Sequence, residues 1–286
     1  MAYKNLKSLN DAYDAGQYRV FNWRKQPTQT TASGIWFDLS MSPGNPVPNY
    51  YAAAPLEFKV LAQSTDGGLM HGASVGDAVK YIHKLTVISL TATAVPLPMK
   101  LLDYLGYYPF IDMSITEEQP VFNTAALTRY TDGAGVQVMA VEVASQIGGV
   151  SFFITYTNSA GETGRISPTV TCNTQVVNGT IINTAPATNG CAGSPFIPLQ
   201  QGDSGVRSIQ SVTFLTGDVG LITLVLVKPL ASLAVHDITA PVERDFFREG
   251  MSPPSIEDDA YLNFVVYPSG TLASAQITGL IETVWI

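Results

Sequence analysis

A serine set among turn residues, Gly202-Asp203-Ser204-Gly205, is the first place to look for chemistry in this chain of 286 residues. A serine becomes a nucleophile only when a histidine, itself held by a carboxylate, reaches its hydroxyl and backbone N–H groups await the oxyanion. His71, Asp103 and Ser204 supply those three residue types, but a tight turn leading into an extended segment at Val206 accounts for the tetrapeptide without catalysis. His71, His83 and His236 lie far apart, with no His-x-His or His-x-x-x-His spacing, and with Cys172 and Cys191 they make no transition-metal pattern. Glu117-Glu118 has the types for an acid–base pair and Glu257-Asp258-Asp259 for part of a Ca²⁺ site; as runs of adjacent carboxylates both read more simply as solvated faces. Tyr104, Tyr107 and Tyr108, like the Tyr50-Tyr51 pair, have the density of a sugar-stacking shelf, although aromatics beside Pro and Gly more often seal loops or subunit contacts. Asn178-Gly179-Thr180 fits a glycosylation acceptor and equally a turn. There is no phosphate-cradling Gly-x-x-x-x-Gly-Lys loop and no dinucleotide fingerprint. No catalytic residue, cofactor or metal is expected.

The elements that would position these residues read as strands. Residues 201–235 organise the rest: alternation over 209–215, a Gly/Asp turn at 216–220, and a returning run, 221–227, that is apolar or Thr at every position. This predicts a hairpin whose second strand needs cover on both faces, from a second sheet or from a neighbouring subunit. Residues 136–143 and 151–157, separated by Gly148-Gly149, with a loop at 158–164 leading to 165–167, predict a second hairpin, and 34–39, 57–62, 85–94, 261–267 and 276–286 predict further strands. Helical spacing of Leu6, Leu9 and Tyr13 predicts a short helix at the start. Ser74 as N-cap predicts another turn or two reaching His83, and Leu101, Leu102 and Leu105 with Gly106 as the stop predict a helix over 99–108. Three prolines make 42–54 a long loop, and 184–198 is rich in Asn, Ala, Gly and Pro. The expected fold is all-β: a β-sandwich or jelly-roll-like body over 34–286, built as one sandwich or as two with one centred on 129–235, behind an N-terminal arm over 1–33.

Composition narrows the functional classes. Charged residues are 13% of the chain, about half the usual share, so part of the surface is suited to association. Lys4, Lys7, Arg19, Arg24 and Lys25 against Asp11 and Asp14 give the first 25 residues +3; with a net charge of −8, the remainder carries −11 (−8 less +3). An acidic body argues against a nucleic-acid-coating surface, and a basic arm suits an acidic partner surface. MAYKNLKSLNDAYDAG lacks the apolar stretch of a secretory signal, and the longest apolar run stops at Lys228-Pro229, short of the ~20 residues that span a bilayer. Without an export signal, Cys172 and Cys191 are expected as free thiols.

Two resemblances bear on this reading. Gly202–Gly205 is similar to the sequence around the nucleophile of trypsin-like serine proteases, and His71, Asp103 and Ser204 follow that family's order; yet His71 stands in Met-His-Gly-Ala and not in the family's Ala-Ala-His-Cys. More extensively, LDYLGYYPFID (102–112), RYTDGAGVQVMAVEV (129–143), SFFITYTNSAGETGR (151–165) and PFIPLQQGDSGVRSIQSVTF (195–214), running into LITLVLVKPLA, resemble virion structural proteins of tailed bacteriophages, of the capsid-associated kind. That resemblance implies a non-enzymatic decoration or cement subunit, assembled in the host cytoplasm into the virion, which contacts the major capsid protein and itself, as a homotrimer suited to local threefold positions. Such a subunit stabilises a shell by binding only its assembled state. The arm residues Lys4, Lys7, Arg19, Arg24 and Lys25 are then expected at the capsid contact, and Tyr104, Tyr107, Tyr108, Leu224, Leu226 and Trp285 at subunit interfaces. The competing expectations are a host-glycan-binding adhesin or tail protein using the tyrosine loops, and a major shell protein.

Overall fold

The computed structural model describes residues 6–249 and 252–286. Helix α1 (Leu6–Asp14) opens the chain, and nine long strands follow: β1 (Tyr18–Lys25), β2 (Lys80–Ser89), β3 (Leu97–Asp112), β4 (Gln137–Ala144), β5 (Ser151–Asn158), β6 (Val206–Phe214), β7 (Leu221–Val235), β8 (Leu262–Val266) and β9 (Ile277–Trp285). A second short helix, α2, spans Gln63–Asp66, and two-to-four-residue strands extend the sheets at their edges. The chain is therefore all-β, with three antiparallel sheets packed as a sandwich body.

The central sheet runs Phe37–Asp38, β8, β3, β7, β4. A first outer sheet runs Val242–Asp245, β2, β9, β1, Gly44–Asn45, and a second runs Arg165–Ile166, β5, β6, Gln119–Pro120. Strands β3 and β7 are paired along nearly their whole length, from Leu97↔Val235 to Asp112↔Leu221, with three register shifts. One face of that long ribbon serves both outer sheets. At one end Leu97, Met99, Leu101, Phe264 and Val266 pack with Trp23, Leu85, Val87, Ile277 and Ile281 of the first outer sheet. At the other, Leu105, Tyr108, Ile111, Leu224 and Leu226 pack with Phe152, Ile154, Ile209, Val212 and Phe214 of the second. The opposite face, with Leu102, Tyr104, Tyr107, Val225 and Val227, is covered by Trp36, Met41, Tyr51 and Leu61 from the Pro-rich segment that precedes β2.

Residues 221–227 are thus covered on both faces, as their composition requires, and the cover comes entirely from this chain. Leu224 and Leu226 are fully buried, so they are corrected from subunit contacts to core; at roughly 1.5–3 kcal/mol per buried leucine they are among the residues that hold the sandwich closed. Of the expected hairpin pairings, the one across the loop 158–164 forms, with Arg165–Ile166 folded back on β5, and those across 145–150 and 215–220 are corrected. Strand β6 pairs with β5, while β7 pairs with β3 and β4; the turns at 145–150 and 215–220 cross from the central sheet to the second outer one. Alternation marks a strand but not its neighbour, and a six-residue turn can pass between layers as readily as it can close a ladder. A register shift between Ile209 and Ser211 puts Ile209 on the same side as Val212 and Phe214, where simple alternation had separated them.

Residues 99–108 lie within β3, not in a helix, and Gly106 stops nothing. A Cβ there would sit 2.5 Å from the Phe58 ring and 2.7 Å from the Lys59 carbonyl oxygen, so the glycine admits the short strand Lys59–Val60, which pairs at Val60↔Gly106. A strand buried on both faces has apolar residues at every position, and a helical stripe can be traced through any such run. Ser74 caps no helix: its hydroxyl bonds the Asp258 carboxylate, and β2 begins at Lys80. At the N-terminus, α1 forms as expected and buries Leu9 and Ala12 against Tyr81 and Val284. The segment read as an arm continues as β1, inserted between β9 and Gly44–Asn45, and residues beyond it are tied down by bonds such as Leu272 N to Thr31 Oγ1 at 2.9 Å.

Candidate functional site

The protease-like residues are not brought together. Ser204 is exposed, its hydroxyl 3.0 Å from that of Ser159. Asp103 is buried and takes two bonds from Arg129, Nε at 3.0 Å and Nη2 at 2.8 Å. His71 Nε2 lies 2.9 Å from the Ala260 carbonyl oxygen, and burial pushes its imidazole down to about 4. The tetrapeptide has a structural reason. Asp203 accepts bonds from Tyr156 (2.5 Å), Asn158 (2.8 Å) and Arg165 (3.0 and 3.1 Å), clasping β5 to the entry of β6. Burial raises its carboxyl, and those bonds outweigh burial, so it titrates below the ordinary carboxylate value. Gly205 meets Gly133 so closely that a Cβ would fall 2.0 Å from the Gly133 carbonyl oxygen.

The remaining candidate groups are engaged locally. Asp258 pairs with Lys80 at 3.5 Å and with Ser74, and Asp259 accepts from Ser64 N and Oγ at 2.6 and 2.8 Å. Among the described residues no group of three or more His, Cys, Asp or Glu is placed to hold a metal ion. Cys172 is buried and Cys191 exposed, both free.

Of the tyrosines expected on a shelf or interface, Tyr51, Tyr104, Tyr107 and Tyr108 face inward, whereas Tyr50 is exposed. Tyr104 and Tyr108 are fully buried and Tyr107 nearly so; they sit on a strand covered from both sides, which removes them from any subunit contact. Tyr104 and Tyr51 both donate to the buried Asp38 carboxylate, which also accepts from the backbone and hydroxyl of Ser40. Burial pushes Asp38 above the ordinary carboxylate range against the pull of these donors. Lys25, also fully buried, donates to Ser42 O (3.0 Å) and Pro46 O (2.9 Å), and desolvation lowers it to about 8. It is corrected from a capsid contact to a brace for the loop that follows β1. Lys7, Arg19 and Arg24 are exposed, Lys7 paired with Asp11 at 2.7 Å; Lys4 lies outside the described residues. Trp285 is half-buried beneath Arg19, 5.2 Å from its guanidinium.

The most distinctive surface is one that sequence reasoning did not find. At the end of the second sandwich four loops converge on Asp218, which accepts from Ile147 N (3.1 Å), Gly148 N (2.7 Å) and Val219 N (2.7 Å) while its own N–H donates to Met113 O (2.8 Å). Ser145 Oγ reaches Val176 O at 3.3 Å, which ties in the fourth loop. Five aliphatic side chains point outward from this tip: Ile147 (69% exposed), Val219, Leu215, Val176 and Ile115. No Lys or Arg lies in residues 113–118, 144–149, 173–178 or 215–220, whereas Glu117, Glu118 and Asp218 do. Ile147 before Gly148 and Val219 between Asp218 and Gly220 are the sequence signal, an aliphatic among turn residues, and hydropathy averaging erases it. Just inside the tip, Glu142 is fully buried with only Gln146 favouring its charged form, and burial pushes its carboxyl up to about 8.

No protein family and no curated protein matches the chain. Among solved structures, it aligns with the VP2 subviral particle of infectious bursal disease virus at 9% identity and a TM-score of 0.17, over 94% of this chain and 80% of that one. It aligns equally weakly with the Gt strain of the same virus, at 9% identity and a TM-score of 0.17, over 94% and 82%. Similarity this low carries no argument about function.

Proposed function

We propose that the chain is a non-enzymatic virion structural protein that binds the assembled capsid and stabilises it as a decoration or cement subunit, acting as a homotrimer. The observation that carries this reading is the tip: five exposed aliphatic side chains on four loops, three tied through Asp218 and the fourth through Ser145. Several aliphatic side chains exposed on neighbouring, hydrogen-bonded loops suit a protein contact. The absence of Lys and Arg from these loops disfavours nucleic acid as the occupant. Low overall charge and the resemblance of residues 102–231 to capsid-associated phage proteins support the same reading. Lys7 and Arg24 remain as exposed basic contacts for an acidic shell surface.

Co-sedimentation of the purified chain with empty shells tests this. Ile147→Asp with Val219→Asp should abolish binding while leaving the melting temperature unchanged, and Lys7→Glu with Arg24→Glu should weaken it in a salt-dependent way. Undiminished co-sedimentation of the tip variant would remove the proposal's main support.

A further inference from the structure

Beside the C-terminal strand is a surface hollow of about 320 Å³ that the structural role does not use. Phe21 and Trp285 form apolar walls, Gly72 and Ala73 form a narrow rim, and Arg19 and Lys80 bring charge to it. Gly72 keeps the space open: a Cβ there would point at the Phe21 ring, 3.4 Å away.

The charges in the hollow differ in availability. Lys80 Nζ donates to Gly72 O at 3.2 Å, lies 3.3 Å from His71 Nδ1 and pairs with Asp258 at 3.5 Å, so its charge is balanced and its donors are engaged. His71, lowered by burial, is neutral at physiological pH. Arg19 is held differently. Its Nη1 donates to Gly16 O (3.0 Å) and Tyr18 O (2.6 Å), and its guanidinium lies over Trp285. The Nε and Nη2 donors have no partner among the described residues, so the hollow presents one fixed positive charge with a free planar edge beside two aromatic walls.

We infer that this hollow binds a ring-bearing monocarboxylate of monosaccharide size, an acidic sugar residue, with its carboxylate on the Nε–Nη2 edge of Arg19 and its ring against Phe21 and Trp285. A planar carboxylate matches a guanidinium edge with two parallel hydrogen bonds, and sugar C–H faces stack on aromatic rings. The single net charge favours a monoanion over a phosphate dianion, and the volume lies at the small end of ligand sites. The inference goes beyond the capsid reading and relies on neither the tip nor the trimer.

Saturation-transfer NMR on the full chain tests it, with glucuronic acid and N-acetylneuraminic acid as probes and glucose as the neutral control. Either acidic sugar should bind with a Kd of about a millimolar, as befits one charged pair and one stacked ring, and glucose should give no signal. Arg19→Met, which removes the guanidinium and keeps an unbranched side chain, should weaken binding about tenfold or more, and Trp285→Leu should do the same. Equal signals from glucose, unchanged binding in Arg19→Met, or no signal from either acid at ten times that Kd would overturn the inference. Loss of shell co-sedimentation in Arg19→Met, with no sugar bound by the parent chain, would also overturn it and make the hollow a protein contact, leaving the capsid reading intact.

Discussion

Glu142 is the residue whose environment is most at odds with its charge. It lies on β4 two residues beyond Ala140, fully buried, and only Gln146, by its backbone and side chain, favours its charged form. Burial raises it from the ordinary glutamate value of 4.5 to about 8, with Asp218 adding in the same direction. The folded chain therefore keeps a proton that the unfolded chain releases above 4.5. Stability falls as pH rises from about 4.5 to about 8 and then levels off, by at most ~1.4 kcal/mol per pH unit for this group. Glu142→Gln should remove that slope, leaving stability near pH 5 almost unchanged and raising it by about 1–3 kcal/mol at pH 8 in urea melts. A parallel pH dependence in both proteins would show that Glu142 is hydrated and charged. Arg129 poses the opposite case, a charge that is matched: besides Asp103, it donates to Leu61 O and Tyr104 O at 3.1 Å each. Arg129→Met leaves a buried carboxylate alone and should cost about 3–5 kcal/mol, and Arg129→Met with Asp103→Leu should recover much of it. Neither environment could be read from the sequence. Glu142 sits in an alternating strand, and Arg129 lies 26 residues from its partner; burial and pairing follow from tertiary layers that local pattern does not encode.

At the scale of elements, the sequence revealed where strands are and misjudged what they touch. Alternation and β-branched content located β4, β5, β6 and β9 to within a residue or two; β5, β6 and β9 keep one face more covered than the other, while β4, covered on both, was marked by its valines. It failed at β3, covered on both sides, where Leu101, Leu102 and Leu105 mimic a helical stripe. Gly106 gives the sharpest test of that correction. Gly106→Ala puts a methyl group into the Phe58 ring and the Lys59 carbonyl, and should lower the melting temperature, destabilising the chain by about 1–3 kcal/mol through overpacking; Phe58→Ala, which clears the ring from that space, should make the glycine substitution less costly. An equal cost in the presence and absence of the Phe58 ring would show that the ring does not press on this position. The tip loops were opaque for a different reason. Their side chains are exposed because Asp218 fixes the backbone of its neighbours, and that arrangement exists only once the crossings between sheets are known.

At the scale of the whole molecule, β3 and β7 make two sandwiches into one object. Each strand contributes to the core under the first outer sheet at one end and to the core under the second outer sheet at the other. If either core opened, half of each long strand would lose its cover while its ladder remained paired, exposing the apolar face of the central sheet. Separate unfolding of the two halves is therefore costly, and a single cooperative transition is expected. The chain carries its own reporters. Trp23 lies in the first core and Trp36 under the covering loops, whereas Cys172 lies in the second core, its thiol pushed well above the ordinary value by burial. In a Cys191→Ser background, which removes the exposed thiol, tryptophan fluorescence and Cys172 labelling should follow the same guanidinium midpoint. Labelling of Cys172 at lower denaturant than the fluorescence change would show that the second sandwich opens alone and that the shared ribbon does not couple the cores. With that coupling, a load applied at the tip is borne by the first outer sheet as well as the second.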